Sequence, residues 1–199
     1  YYGMEQVLWV DEGIVGDDTD GHIDDTVRFV NEDTVITVIE ENKQDENYEL
    51  LQHNLRQLTG MRLLNGKQLN IIELPMPEEL IYEDQRLPCS YANFYIANKS
   101  VIVPTFRSDR DEKAMQIIQS AFPDREVVGI DSTDIIWGLG SFHCLSQQEP
   151  AVSAVGVISN GHVGENTNSH VGENTNSHVD ENTNDHVGEN TNSHVGDNS

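Results

Sequence analysis

The chain has 199 residues, with 35 Asp and Glu against 11 Lys and Arg, and a formal net charge of -24. That length suits one ordinary domain plus an appendage. That charge would repel nucleic acid and anionic membranes and draw in cationic ligands, although taken by itself it reads first as a device for solubility.

The charge is unevenly spread. Residues 152–199 hold seven acids and no Lys or Arg, while residues 1–151 hold 28 acids against 11 bases. Two cysteines, Cys89 and Cys144, do not make a disulfide framework and fit free thiols in a reducing, cytoplasmic setting. No apolar run approaches a membrane span. The chain opens Tyr1-Tyr2-Gly3-Met4. Without an initiator methionine, it is expected to be the interior of a longer protein.

Residues 7–10 (Val-Leu-Trp-Val) read as a short buried strand, and the acidic, glycine-punctuated run 11–25 reads as a loop. A pattern then occurs twice. In the first copy, 26–31 and 34–39 flank Asn31-Glu32-Asp33 as a hairpin. Tyr48, Leu51, Leu55 and Leu58 recur at helical spacing, which predicts a helix over 46–59 that stops at Gly60. Residues 69–74 form the next strand. In the second copy, 91–97 and 100–106 flank Asn98-Lys99. Asp109 or Asp111 then caps a helix with Ala114, Ile117, Ile118 and Ala121 on one face, closed by Pro123. Residues 126–130 supply the last strand. Each copy is strand, strand, helix, strand, and two such units are too few to close a ring.

From about residue 160 the octapeptide His-Val-Gly-Glu-Asn-Thr-Asn-Ser recurs, with His162, His170, His178, His186 and His194 eight apart. Valine is its only apolar residue, so 152–199 is expected to be a linker and a disordered repeat tail. Single histidines at that spacing make weak metal sites, and an expanded repeat without chemistry is the preferred reading. Residues 151–159 are a linker or a last strand.

Cys144 follows Gly138-Leu139-Gly140, which lets backbone approach a substrate closely, and precedes Gln147-Gln148. A cysteine with a distant His-x-Asp, here His22 and Asp24, suggests a thiolate nucleophile served by an imidazole and a carboxylate. On an extended segment His22 and Asp24 face one side, one to move protons and one to hold a cation. Asp17, Asp18, Asp20 and Asp25 add negative field. The acids of 17–21 do not meet EF-hand spacing, so calcium is not expected. Cys89 reads as a small packed side chain and His53 as solvated. His143, adjacent to Cys144 on a presumed strand, reads as a packing or supporting group. The sequon Asn98-Lys99-Ser100 falls in a tight turn and is discounted.

Three stretches carry a family resemblance: Gly16-Asp17-Asp18-Thr19-Asp20-Gly21-His22-Ile23-Asp24-Asp25, then 87–98 (Leu-Pro-Cys-Ser-Tyr-Ala-Asn-Phe-Tyr-Ile-Ala-Asn), then 138–148. In this order they resemble the agmatine deiminases, guanidine-modifying relatives of bacterial peptidyl-arginine deiminases. The resemblance covers residues 3–151. It implies a pentein-type α/β-propeller of strand-strand-helix-strand modules, of which 1–151 is a partial, open C-terminal portion. It implies hydrolysis of agmatine to N-carbamoylputrescine and ammonia, in putrescine biosynthesis. Cys144 aligns with the nucleophile, His22 with the general acid–base, and Asp24 with a carboxylate that grips the guanidinium. Asp18 and Gly140 are expected to contribute to substrate binding. No metal or organic cofactor is expected, and the family suggests a homo-oligomer.

Cys89 departs from the small residue common there, and the tail has no counterpart. Further modules and carboxylates would lie before Tyr1, so the chain alone is expected to be poorly active. A peptidyl-arginine deiminase, a non-catalytic remnant and a Cys-His peptidase are the weighed alternatives.

Overall fold

Alternating β-branched residues and one amphipathic helix give each copy its architecture. The computed structural model describes residues 4–18 and 21–149. In the first copy β1 (Val27–Phe29) and β2 (Thr34–Ile39) pair antiparallel. α1 (Asn47–Gly60) then carries the chain back, so that β3 (Asn70–Pro75) lies parallel to β2, with Thr34 opposite Asn70 and Ile39 opposite Pro75. In the second copy β6 (Tyr95–Ile96), β7 (Ser100–Thr105), α2 (Asp111–Ala121) and β8 (Glu126–Asp131) repeat this order, with Ser100 opposite Glu126. Each copy is therefore a three-stranded mixed sheet with one helix. Between them stands a small hairpin, β4 (Ile81–Tyr82) and β5 (Gln85–Arg86).

Both copies feed one core. Ile36, Val38, Leu51 and Leu74 from the first pack in one buried cluster with Tyr91, Phe94, Val101, Val103 and Ile118 from the second. Burying each large aliphatic or aromatic side chain stabilises the fold by roughly 1.5–3 kcal/mol. The stretch 87–94 enters the second copy with eight consecutive buried residues. Its Tyr91 hydroxyl donates to Asp111 Oδ1 at 2.6 Å. Asp111 opens α2, but its carboxylate accepts from the Phe106 and Ser108 backbone N–H groups, which precede the helix.

Several expectations are corrected. Residues 7–10 join no sheet among the described residues, and Val7 and Trp9 are 64% and 75% exposed. The apolar run does have a use: Leu8 and Val10 pack beside the small cluster of Val35, Leu58 and Leu69. The first strand of the second hairpin is shortened to two residues, because 91–94 turn to meet the first copy. The proposed tail, 152–199, lies outside the described residues. No helix among the described residues is long and apolar enough to cross a membrane.

Candidate active site

The site lies where the entrances to the two hairpins meet the turn that follows η, a 3-10 segment over Ile136–Gly138. Gly16, at φ +98, starts the acidic loop; a Cβ there would strike the Arg86 carbonyl, so the loop packs directly on the strand that leaves the small hairpin. Gly21 (φ +105) ends the same loop.

The expected extended spacing of His22 and Asp24 is not what forms. Residues Ile23–Asp25 make a 3-10 turn, closed by Asp25 N–H to His22 O at 3.2 Å and Thr26 N–H to Ile23 O at 3.0 Å. His22 is held by Asp17. Asp17 Oδ2 accepts the His22 backbone N–H at 2.6 Å, and Asp17 Oδ1 sits 3.0 Å from His22 Nδ1. Asp17 thus contacts both the backbone and the imidazole of His22. Asp20 lies outside the described residues.

Cys144 sits on a tight turn, not a strand, with Leu145 N–H bonded to Ser141 O at 3.0 Å. The turn brings His143 to the same side as Cys144, contrary to the alternation expected of a strand. His143 Nδ1 is 2.7 Å from Asp24 Oδ2, and the Cys144 thiol donates to that same oxygen at 3.2 Å. Asp24 thus links the imidazole to the sulfur. Cys144, His22, Asp24, Asp18 and Gly140 all line one open cleft of about 410 Å³.

Asn93 was missed as a site residue. Its side-chain oxygen accepts the His143 and Cys144 backbone N–H groups at 3.0 and 3.2 Å. Its amide nitrogen lies 2.9 Å from Cys144 Sγ, 2.8 Å from Asp25 Oδ1 and 3.3 Å from Asp24 Oδ2. Asparagine carries no titration or spacing signature, so only its place inside a long motif could have flagged it. Asp25 is held through its backbone too, its carbonyl accepting from Ser90 Oγ at 2.7 Å.

The charges respond to this crowding. Burial pushes the Asp25 carboxyl up to about 7, and the neighbouring Asp24 charge adds to the rise. Burial also pushes Asp24 up, but hydrogen bonds from His143 and Cys144 outweigh it and hold Asp24 below the usual carboxylate range. Burial raises the Cys144 thiol; the Asn93 hydrogen bond opposes this, while Asp24 and Asp25 reinforce it. Cys89 is buried and pushed up to about 12, as suits an inert packed thiol. His53 is 3.3 Å from Asp11 rather than purely solvated.

Among the described residues, two sets of metal-type donors have ligand atoms within 4.8 Å of one another: Asp17, Asp18 and His22, and Asp24, Asp25 and Cys144. In the second set Asn93 and His143 already engage the ligand atoms.

Gly140 leaves room for the thiol. A Cβ there would stand 2.8 Å from Cys144 Cβ and 3.3 Å from Sγ. Gly140→Ala is therefore expected to displace the thiol and slow its alkylation by iodoacetamide about threefold to tenfold, with the urea midpoint little changed. An unchanged rate would show that the turn simply yields.

An accessible thiol, paired carboxylates and an imidazole thus meet at one cleft. The sequence profile of the Porphyromonas-type peptidyl-arginine deiminase family matches residues 1–150, and the chain belongs to that family. A Legionella pneumophila (strain Paris) protein named "Putative agmatine deiminase" is 34% identical over 151 residues, covering 75% of this chain and 44% of the relative. The solved agmatine deiminase of Enterococcus faecalis superposes with a TM-score of 0.70 at 30% identity, over 75% of this chain and 46% of that one. A Porphyromonas gingivalis structure described as a "Putative Arginine Deiminase" gives 0.68 at 42% identity, over 70% and 41%. The chain thus spans less than half the length of these relatives.

Proposed function

We propose that this site belongs to a cysteine-dependent agmatine deiminase, which converts agmatine and water to N-carbamoylputrescine and ammonia in putrescine biosynthesis. The observation that carries the reading is Cys144 Sγ 3.2 Å from Asp24 Oδ2, on a cleft shared with His22 and Asp18. On this reading the two copies are consecutive modules of an open, pentein-type α/β-propeller.

Asp24, kept ionised, accepts two N–H groups of the substrate guanidinium. The incoming cation offsets the acids that hold the Cys144 thiol up, so with substrate bound the thiol passes its proton to His22 and becomes the thiolate. Its sulfur attacks the guanidinium carbon. The bond to a terminal nitrogen breaks as His22 protonates it, and ammonia leaves an amidino-cysteine. His22 then takes a proton from water, hydroxide adds to the same carbon, and the C–S bond breaks to return the thiolate. Asp18 and the Gly140 backbone serve the substrate, and neither a metal nor an organic cofactor takes part. The partner is a small cation, the setting cytoplasmic, and the assembly a homo-oligomer.

A second reading, action on arginine in a peptide, is favoured by the family's own description. Mass spectrometry after incubation with agmatine is expected to find a Cys144 adduct of agmatine less one ammonia, absent in Cys144→Ser. Conversion of a peptide arginine to citrulline without any agmatine adduct would favour the second reading. Neither product would leave a non-catalytic remnant.

A further inference from the structure

Arg28 lies outside the chemistry just described, yet it is built into the site. It stands on β1, three residues after Asp25, and is half-buried. Its Nη1 donates to the carbonyls of Ala92 at 3.0 Å and Phe94 at 2.8 Å, the two residues flanking Asn93. Its guanidinium stacks over the Phe94 ring, 4.8 Å from the centroid. One cation thus braces, from the other copy, the backbone that carries the amide contacting Cys144. An arginine can do this while charged, since its guanidinium is never neutral in proteins.

The charge matters as well as the brace. Burial works against the Arg28 cation, while Asp24, Cys144 and Asp25 all act on it favourably through space. That interaction is mutual, so Arg28 favours the ionised sulfur as much as the sulfur favours Arg28. Of the other groups around the sulfur, Asp24 and Asp25 on the 3-10 turn oppose a thiolate, Asp18 on the loop adds negative charge, and the Asn93 amide favours the thiolate by a hydrogen bond without bringing a charge. His22 shares the cleft, and His143 is linked to the sulfur through Asp24.

We propose that Arg28 is a positioning residue for Cys144: by bracing the Ala92 and Phe94 carbonyls it fixes the Asn93 amide against the sulfur, and it adds a resident positive charge to the one the substrate brings. The proposal rests on reading Cys144 as the nucleophile. Its test does not require turnover, so a chain inactive on agmatine would still answer it.

The rate of Cys144 alkylation by iodoacetamide, followed against pH on the full chain, reads the thiolate directly. Cys89, buried, serves as an internal reporter of folding because it is labelled only if the core opens. Arg28→Gln keeps an amide donor but removes the charge. It is expected to move the pH midpoint up by about one unit and slow alkylation at pH 8 about tenfold. Arg28→Lys keeps the charge and is expected to stay within about threefold of wild type. A Gln variant that matches wild type overturns the proposal. So does equal impairment of the Gln and Lys variants with Cys89 still protected.

Should either variant expose Cys89, the unmodified chain decides. In 15N-arginine spectra the Arg28 side-chain resonance is expected to shift with the alkylation midpoint, and Cys144→Ser is expected to abolish that shift. A resonance indifferent to Cys144 ionisation overturns the proposal.

Discussion

Replacing Asn93 with leucine is expected to destabilise the chain by about 3–5 kcal/mol and to slow Cys144 alkylation about tenfold at pH 8. Leucine keeps the branched four-heavy-atom shape but is bulkier, so crowding at this buried position adds to the loss of polar contacts. Asn93 is 1% exposed, and its amide serves the Cys144 backbone and sulfur, Asp25 and Asp24. Leucine leaves the Asp25 carboxyl and the Cys144 N–H short of partners, and each unsatisfied buried group costs roughly 1–3 kcal/mol. The His143 N–H fares better, because it also lies 3.2 Å from the Asn93 carbonyl. The sulfur loses the one hydrogen bond that favours its ionised form, so alkylation slows as well. Urea titration and the alkylation profile together check this. A variant that loses stability but keeps the wild-type thiol midpoint would separate the scaffold role of Asn93 from any role at the sulfur.

Asp25→Asn is expected to make the chain more stable at both pH values, by roughly 4 kcal/mol at pH 8 but by less than about 2 kcal/mol at pH 5. Asp25 is 2% exposed, and its folded carboxyl titrates near 7 rather than at the ordinary 3.8. Between those values the unfolded chain has released the proton that the folded chain still holds. Stability therefore falls as pH rises through that window, in total by roughly 4 kcal/mol at about 1.4 kcal/mol per pH unit. Asparagine never ionises and keeps an oxygen for the Asn93 amide, so it removes this slope. Asp24 has the opposite sign: its depressed value gives stability present above the ordinary carboxylate range and lost in stronger acid, below this window. Urea midpoints of both proteins at pH 5 and 8 make the comparison. A difference of the same size at both pH values would show that Asp25 does not titrate there.

Periodicity made the scaffold readable. Leu51 and Leu58 on α1, and Ala114 and Ile118 on α2, are buried at the positions their spacing predicts. The hairpins around Asn31-Glu32-Asp33 and Asn98-Lys99 also form. Cys144, His22 and Asp24 could be picked from their residue types and motifs. What failed depended on contacts distant in sequence. The run at 7–10 looked buried because apolarity alone cannot say what will cover it. The 3-10 turn at Ile23–Asp25 and the turn under Cys144 were hidden because local alternation says nothing of tertiary closure. Asn93 reaches Cys144 across 51 positions and Asp25 across 68, which no local pattern encodes.

The buried stretch 87–94 bears on how such a protein can change over time. Repeat units joined by solvated tethers can be shuffled, lost or swapped like beads. Here the joint itself is interior, and it carries the amide that serves a thiol in one unit and carboxylates from the other. Neither unit is then a portable cassette. Cutting or permuting the chain between residues 87 and 94 would dismantle both halves at once, whereas the exposed tip of the small hairpin at Glu83-Asp84 offers a break that leaves this joint whole.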